Sequence, residues 1–175
     1  GLSEAYRLLR QMPGVPPTRL RVSGWLGPNE RPYLEEQKRR LSAANLLGDF
    51  EHVHSPDHAS KVRFLQACDV LSVPTVYREP KGLYILEAWA NGVPVVQPRH
   101  GSFPELLEAT GGGVLVNPDD PADLAQALHL LIDEPDQARE LGRRGQQAVR
   151  SRFHAALMAE ETIKVFHRHL EATQQ

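Results

Sequence analysis

The chain has few of the features that mark secreted, membrane-spanning or nucleic-acid-binding proteins. Its single cysteine, Cys68, cannot form a disulfide within the chain. Since it lies between an apolar helix end and a strand, it is predicted to be a small buried side chain. No apolar run approaches the ~20 residues that span a membrane, and no signal peptide is visible. A formal net charge of −2 leaves no basic surface for nucleic acid. We therefore expect a cytoplasmic protein that binds no nucleic acid.

The sequence also lacks internal repeats and low-complexity linkers. Its 175 residues, 41% of them hydrophobic and 24% charged, are enough for one globular domain with a real core and few for two. The first residues, Gly1 to Ser3, lead directly into a helical pattern, without an initiator methionine or a preceding strand. We expect residues 1–175 to form a single domain that is a fragment of a longer, two-domain chain.

Apolar residues follow two spacings in turn, one typical of strands and one typical of helices. Pro, Gly and Asn residues separate these segments. Strands are predicted at 18–24, 50–54, 69–73, 93–96 and 114–116, and helices at 3–11, 31–46, 57–68, 82–91, from 104, from 121, near 136–150 and at 154–170. The alternation predicts the α/β class, with a Rossmann-like parallel sheet of six or so strands and helices on both faces.

The middle of the chain carries the groups that point to chemistry. Gly82 and Gly101 each follow a predicted strand, as Gly24 does earlier. In parallel α/β sheets, ligands bind at the carboxyl ends of strands, where backbone N–H groups and helix N-termini attract anions. Glu79 and Glu87 would repel an anion, but their carboxylates suit sugar or ribose hydroxyls, which donate hydrogen bonds. The residues therefore predict a ligand with both anionic and hydroxyl groups.

Three stretches around these residues resemble a known family. They are EPKGLYILEA (79–88), NGVPVV (91–96) and GSFPE (101–105). In this order they resemble the retaining glycosyltransferases of the GT-B fold, in the group 1 or GT4 family. The resemblance covers most of the chain and implies the C-terminal, donor-binding half of such an enzyme. It implies transfer of a sugar from a nucleoside diphosphate sugar, for example a UDP-sugar, to an acceptor with retention of configuration and without a metal or other cofactor.

The resemblance also implies roles for individual residues. Glu79 is expected to be catalytic, facing the hydroxyls of the donor sugar or the positive charge that develops at its anomeric carbon. Glu87 is expected to bind the ribose hydroxyls, and the backbone N–H groups of Gly82 and Leu83 the diphosphate. Gly82→Val is expected to abolish nucleotide binding with thermal stability nearly unchanged. The remaining predicted donor-binding residues are Lys81, Gly101, Ser102, Gly24, Val53 and His54, the last two beside the nucleobase.

The sequence departs from the family pattern at two points. His100-Gly101 stands where a Gly-Gly pair is usual, and Lys81 where an aromatic residue is common. In the family pattern, the Arg and Lys that hold the leaving diphosphate lie upstream of Gly1. The predicted partner of this chain is therefore a missing N-terminal acceptor domain. Peripheral membrane association through that missing half stays open.

Other functions are also consistent with the residues. His52, His54 and His58 have a spacing at which zinc could be ligated. Because no cysteine or matching carboxylate accompanies them, we expect a chance cluster and no metal site. A nucleotide-sugar-binding module without transfer activity and a nucleotide-sugar epimerase of GT-B fold stay open as alternatives, although Glu79 and Glu87 favour a transferase. A flavodoxin-like receiver is disfavoured, because the sequence has no acidic pair at a first strand end with a later phosphoacceptor aspartate.

Overall fold

Four short parallel strands form the sheet framework of residues 1–173, the part of the chain that the computed structural model describes, with side chains described through residue 171. β1 (Leu20–Ser23) pairs with β2 (Phe50–Val53), and β3 (Val95–Pro98) pairs with β4 (Gly113–Val116). The two pairs are separate in their hydrogen bonding. Because each pair is parallel, its two carboxyl ends lie side by side, which is where ligands bind in such folds.

Eight α-helices connect and cover these strands in the described residues. A single 3₁₀ turn, Leu47–Asp49, precedes β2. The helices are α1 (Leu2–Leu9), α2 (Arg31–Ala43), α3 (His58–Gln66), α4 (Leu83–Ala90), α5 (Phe103–Thr110), α6 (Pro121–Asp133), α7 (Pro135–Arg152) and α8 (Ala155–Thr173).

The strand predicted at 69–73 is reduced to one isolated bridge, between Leu71 and Val95. The Leu71 N–H donates to the Pro94 carbonyl at 3.0 Å, but the Val73 N–H donates to the Gln97 side chain at 3.3 Å instead of a backbone carbonyl. Pro74 has no N–H with which to continue a ladder. The expectation of six or so strands was therefore wrong, whereas the α/β class with parallel strands flanked by helices is confirmed.

Aspartates begin two of the helices by satisfying their first backbone N–H groups. The Asp57 carboxylate accepts the Ser60 N–H at 2.7 Å, and the Ser60 hydroxyl accepts the Asp57 N–H in return. The Asp120 carboxylate accepts the N–H groups of Ala122 and Asp123 at 3.0 Å. Such caps stabilise a helix by about 1 kcal/mol, and here they determine where α3 and α6 begin.

The buried apolar residues form two clusters, and neighbouring residues of β3 belong to different ones, Val96 to the first and Val95 to the second. The first joins α1, β1 and α6 and includes Tyr6, Leu20 and Leu124. The second surrounds Trp89 of α4, which is fully buried and donates its indole N–H to the Gly112 carbonyl at 2.7 Å. Since Phe103 of α5 lies in the same cluster, the starts of α4 and α5 are held against each other.

The last helix, α8, presents an apolar surface that no described residue covers. Met158, Ile163, Val165 and Phe166 are all more than half exposed. The amphipathic pattern predicted this helix, but its apolar side is not part of either cluster. Of the helices described, none is both long enough and apolar enough to cross a membrane.

Candidate functional site

The loop that carries Glu79 and the turn at residues 99–102 meet at the carboxyl edge of the sheet. The loop follows Leu71 and the turn follows β3, which lie side by side and parallel. The Ser102 N–H donates to the Glu79 carbonyl at 2.8 Å, and the His100 ring, through Nε2, contacts the Thr75 carbonyl at 2.9 Å. Because a carbonyl only accepts, Nε2 carries the hydrogen. The turn therefore holds the loop at both of its ends.

Gly101 allows this close contact. Its φ is +59°, and a Cβ at this position would lie 2.5 Å from the Glu79 carbonyl oxygen and 2.7 Å from the Glu79 nitrogen. Both atoms belong to the backbone and cannot move away as a flexible side chain would. The backbones of the turn and the loop are thus packed directly on each other, which requires glycine.

The Glu79 carboxylate is held by three donors. Its Oε1 accepts the N–H groups of Lys81 at 3.0 Å and Gly82 at 3.1 Å, and its Oε2 accepts the Tyr77 hydroxyl at 3.1 Å. The Gly82 N–H, then the Lys81 N–H, hold the pKa of this carboxyl below its ordinary value. Glu79 is therefore a fixed, ionised group directly before α4.

Gly82 begins α4 in the left-handed conformation, with φ +63° and ψ +37°. Its N–H is taken by Glu79. The next two N–H groups, of Leu83 and Tyr84, have no hydrogen-bond partner among the described residues. At this helix end the unpaired backbone donors are therefore those of Leu83 and Tyr84.

A side chain at Gly82 would be strained. Besides the positive φ, a Cβ would lie 3.2 Å from Leu106 Cδ1 and 3.3 Å from Ile85 side-chain atoms. A β-branched residue is especially unfavourable in this conformation. The expectation that Gly82→Val leaves stability nearly unchanged therefore disagrees with the geometry, and we expect this variant to unfold more easily.

Glu87 lies one turn further along α4 and pairs with Lys61 of α3. The Lys61 ammonium is 2.6 Å from Glu87 Oε1, and the two side chains are 41% and 39% exposed. No hydrogen bond to Oε2 is formed within the described residues. Lys61 was not predicted as a site residue, because a lysine on a short helix 26 residues away from Glu87 has the pattern of an ordinary solvated side chain.

Several polar atoms near Glu79 are buried without a hydrogen-bond partner among the described residues. Thr75 precedes Glu79 on its loop, and Tyr84 and His100 both contact the Phe103 ring, with centroids 6.3 and 5.8 Å away. Burial, then the nearby Glu79 carboxylate, raises the pKa of Tyr84. Since unpaired buried polar groups are costly, their concentration here marks a place built for polar contacts. The atoms are Thr75 Oγ1, Tyr84 Oη, His100 Nδ1 and Ser102 Oγ.

The other predicted donor-binding residues lie along the same edge of the fold. Gly24 follows β1 and His54 follows β2, and the last residues of these strands, Ser23 and Val53, are paired. Gly24 and His54 are exposed, and Val53 packs partly against the Trp89 cluster. Trp25, the residue after Gly24, is 83% exposed. This surface aromatic lies outside the motifs found in the sequence.

Lys81 and the three clustered histidines, His52, His54 and His58, have less support from the structure as parts of a binding site. The Lys81 side chain is exposed and forms no ion pair with another described residue. Within residues 1–173, no three His, Cys, Asp or Glu side chains lie close enough together to hold a metal ion.

Cys68 is half-buried and donates its thiol to the Phe64 carbonyl at 3.2 Å. Burial raises the pKa of this thiol.

A cavity of about 740 Å³ lies elsewhere, between the α1–β1 region, residues 67–72 and the α6–α7 corner. None of the predicted site residues lines it. It separates β1 from the Leu71 segment, where the sheet framework is interrupted. The residues with binding chemistry instead lie on an open surface, as expected for one wall of a cleft.

The fold is that of the GT-B glycosyltransferases. A structure from Anabaena, HepE in complex with UDP and glucose, superposes with a TM-score of 0.82 at 20% identity, covering 95% of this chain and 44% of that one. The C-terminal domain of a glycosyl transferase group 1 family protein (LpcC) from Francisella tularensis superposes with a TM-score of 0.74 at 21% identity, covering 87% and 77%.

The family model "Glycosyl transferases group 1" matches residues 1–148, so the chain belongs to that family. A glycogen synthase from Mycobacterium tuberculosis is 31% identical over 163 residues, which are 91% of this chain and 36% of that protein. The chain therefore spans little more than a third of this relative.

Proposed function

We propose that this chain is the donor-binding half of a retaining glycosyltransferase and binds a nucleoside diphosphate sugar, with UDP as the first candidate nucleotide. The observation that carries the proposal is the arrangement at the start of α4. A fixed carboxylate, Glu79, precedes two unpaired N–H donors, and a second carboxylate, Glu87, follows one turn later. Binding of UDP in the similar Anabaena structure supports the choice of nucleotide.

The diphosphate is placed at the N-terminus of α4. The Leu83 and Tyr84 N–H groups point out of this helix end, where the helix dipole also favours negative charge. The Gly82 N–H contributes indirectly, by holding Glu79. Lys81 is exposed beside this point and can reach a phosphate. Gly101 and Ser102 serve the site by fixing the Glu79 loop, since the Ser102 N–H is already bonded to it.

Glu79 faces the donor sugar. In the transfer, the bond between the anomeric carbon and the diphosphate oxygen breaks, and its electron pair leaves with the diphosphate. The acceptor oxygen forms a bond on the same face of that carbon, and its proton passes to the leaving diphosphate oxygen. An ionised Glu79 stabilises the positive charge that develops on the sugar, while the α4 N–H groups stabilise the leaving diphosphate. No metal or other cofactor takes part in this proposal.

The nucleoside lies toward the β1–β2 side of the edge. Glu87 accepts hydrogen bonds from the ribose hydroxyls, and Val53 and His54, at the end of β2, contact the base. Gly24, directly after β1, leaves room for the ligand, because apart from its own neighbours in the chain no atom of the described residues lies within 4 Å of where its Cβ would be. The base, the ribose and the diphosphate would thus follow the carboxyl edge from β2 to α4.

The acceptor and the second wall of the cleft are assigned to a domain outside this chain. The chain covers 36% of the related glycogen synthase and 44% of the Anabaena structure, which leaves room for such a domain. We propose that it is N-terminal, supplies the acceptor pocket, and closes over the donor. Any peripheral membrane association would belong to that half.

Calorimetric titration of the chain with UDP, GDP and ADP tests the proposal. At least one of them should bind, and more tightly than its nucleoside or pyrophosphate alone, because the site is proposed to contact both parts. If none of the three nucleotides binds with a Kd of about 1 mM or lower, the proposal is contradicted. A binding module without transfer activity would pass this test but form no product in the extended protein, and an epimerase would convert the donor without an acceptor.

A further inference from the structure

We propose that Lys61 is a positioning residue, which holds the Glu87 carboxylate in the orientation that recognises the ribose hydroxyls of the nucleotide. This inference rests on the proposed nucleotide site. Its basis is the ion pair of 2.6 Å between Lys61 Nζ and Glu87 Oε1, which joins two helices that are far apart in the sequence. Lys61 lies on the first turns of α3, and Glu87 lies on α4.

The pair has little to contribute to the stability of the fold. Both side chains are about 40% exposed, and ion pairs at such positions contribute little to the stability of a protein. Both helices contribute to one buried apolar cluster, with Phe64 and Leu65 from α3 and Trp89 from α4. The ion pair therefore acts mainly on the conformation of the Glu87 side chain, which would otherwise sample several rotamers.

The geometry divides the two carboxylate oxygens between two tasks. Lys61 takes Oε1, and Oε2 has no partner among the described residues. Oε2 is thus the acceptor that remains for a hydroxyl. The ammonium also compensates a negative charge that would otherwise repel the bound diphosphate. Lys61 thereby lets a carboxylate serve in an anion-binding site.

The placement of Lys61 also connects two parts of the proposed site. Helix α3 follows β2, and the residues proposed to contact the base, Val53 and His54, are the last residue of β2 and the one after it. Helix α4 supplies the ribose carboxylate and the diphosphate donors. A contact between α3 and Glu87 therefore sets the ribose carboxylate relative to the base-binding segment.

The experiment compares the affinity for UDP, or whichever nucleotide the wild-type chain binds, with that for its 2′-deoxy analogue. We expect the wild-type chain to prefer the ribonucleotide about tenfold, the effect of one good hydrogen bond to a charged group. Lys61→Met should reduce this preference to about twofold or less. Lys61→Arg, which keeps the charge, should retain most of it. The melting temperatures of all three proteins should be similar, because the pair is exposed.

Lys38→Met is the matched control. Lys38 forms a 2.8 Å ion pair with Glu35 on α2, of the same kind and also partly exposed, but it has no place in the proposed site. This variant should bind and discriminate as the wild-type chain does.

The outcomes separate this inference from the proposed function. A wild-type chain that binds none of the nucleotides contradicts the proposed function itself. A wild-type chain that prefers the ribonucleotide, with the same preference in Lys61→Met, contradicts only the role of Lys61. Tighter binding by Lys61→Met would show that Lys61 competes with the ribose for Glu87, and would also overturn the inference.

Discussion

Glu79 is the residue at which local structure and the proposed chemistry depend on the same contacts. Its carboxylate ends the loop by accepting two backbone N–H groups, and the same contacts keep it ionised. A group with a lowered pKa in the folded state stabilises that state above its ordinary pKa. The stabilisation is lost as the pH falls through the lowered value.

We therefore expect Glu79→Gln to lower the melting temperature at neutral pH, because an amide accepts backbone N–H groups less strongly than a carboxylate. The difference from the wild-type chain should shrink as the pH falls below 4.5, the ordinary pKa of this carboxyl. Melting curves from roughly pH 3 to pH 7 check this. Glu108→Gln, at an exposed position of α5, is the control and should show no such trend. A difference independent of pH would argue against ionisation as the cause.

Glu87→Ala tests the second carboxylate through binding rather than stability. If Glu87 accepts ribose hydroxyls, its removal should weaken nucleotide binding by about 1.5–3 kcal/mol, the range for hydrogen bonds to charged groups. Calorimetry with the nucleotide that binds best measures this. Glu35→Ala, on α2, serves as control. Equal binding by the Glu87 variant and the wild-type chain would remove Glu87 from the site.

At the scale of elements, the turn at residues 99–102 supports the loop that carries Glu79. Gly101→Ala would push a methyl group against the Glu79 backbone and impose a left-handed conformation that costs a non-glycine residue about 1–2 kcal/mol. We expect a loss of stability at least that large, together with weaker nucleotide binding, in chemical denaturation and calorimetry.

Gly48→Ala is the control for that variant. Gly48 lies in the 3₁₀ turn before β2 and has no positive φ. A Cβ at this position would have no atom of the described residues within 4 Å, apart from its neighbours in the chain. Its substitution should leave both stability and binding nearly unchanged. If Gly101→Ala behaved like Gly48→Ala, the turn would not support the Glu79 loop.

The position of helix α4 in the chain could be predicted from the sequence, but the contacts of its first residues could not. Its start at Gly82 and its end at Asn91-Gly92 were predicted from turn residues and are confirmed to within a residue. The use of the Gly82 N–H by Glu79 was not predicted, because that bond depends on the path of an irregular loop. Because Gly82 begins the helix with a φ of +63°, we expect Gly82→Val to lower the melting temperature, and thermal denaturation measures this directly.

At the scale of the whole molecule, the residues with binding chemistry lie on an open edge. A glycosyltransferase of this fold needs a second wall that aligns the acceptor hydroxyl with the anomeric carbon and excludes water. The exposed apolar side of α8, with Met158 and Phe166, is a further surface that no described residue covers. Both surfaces are consistent with a chain that functions as part of a larger protein.

We expect the 175-residue chain to bind its donor but to transfer no sugar. The test incubates this chain and a version extended upstream with radiolabelled nucleotide sugars and acceptor extracts. Transfer should be seen only with the extended protein, because we propose that the acceptor pocket belongs to an N-terminal domain. Comparable turnover by the 175-residue chain would refute the division of the active site between two domains.

The sequence by itself determined the α/β class, the order of the elements and the family. These depend on apolar spacing, turn residues and short motifs, all of which are local in the chain. Residues 69–73 were predicted to form a strand, whereas they form only a single bridge. The Val73 N–H donates to a side chain instead of to a neighbouring strand, and Pro74 has no N–H. An apolar run alone does not show where its N–H groups donate.

Only the tertiary structure decided how the predicted residues are held. The packing of Gly101 on the Glu79 backbone, the bond from Ser102 to the Glu79 carbonyl, and the pairing of Lys61 with Glu87 all join segments more than 20 residues apart. Such contacts depend on the path of the loops and on which helix faces meet, and no periodicity in the sequence encodes either. The chemistry of each residue can thus be derived from its type, whereas its partner follows from the fold.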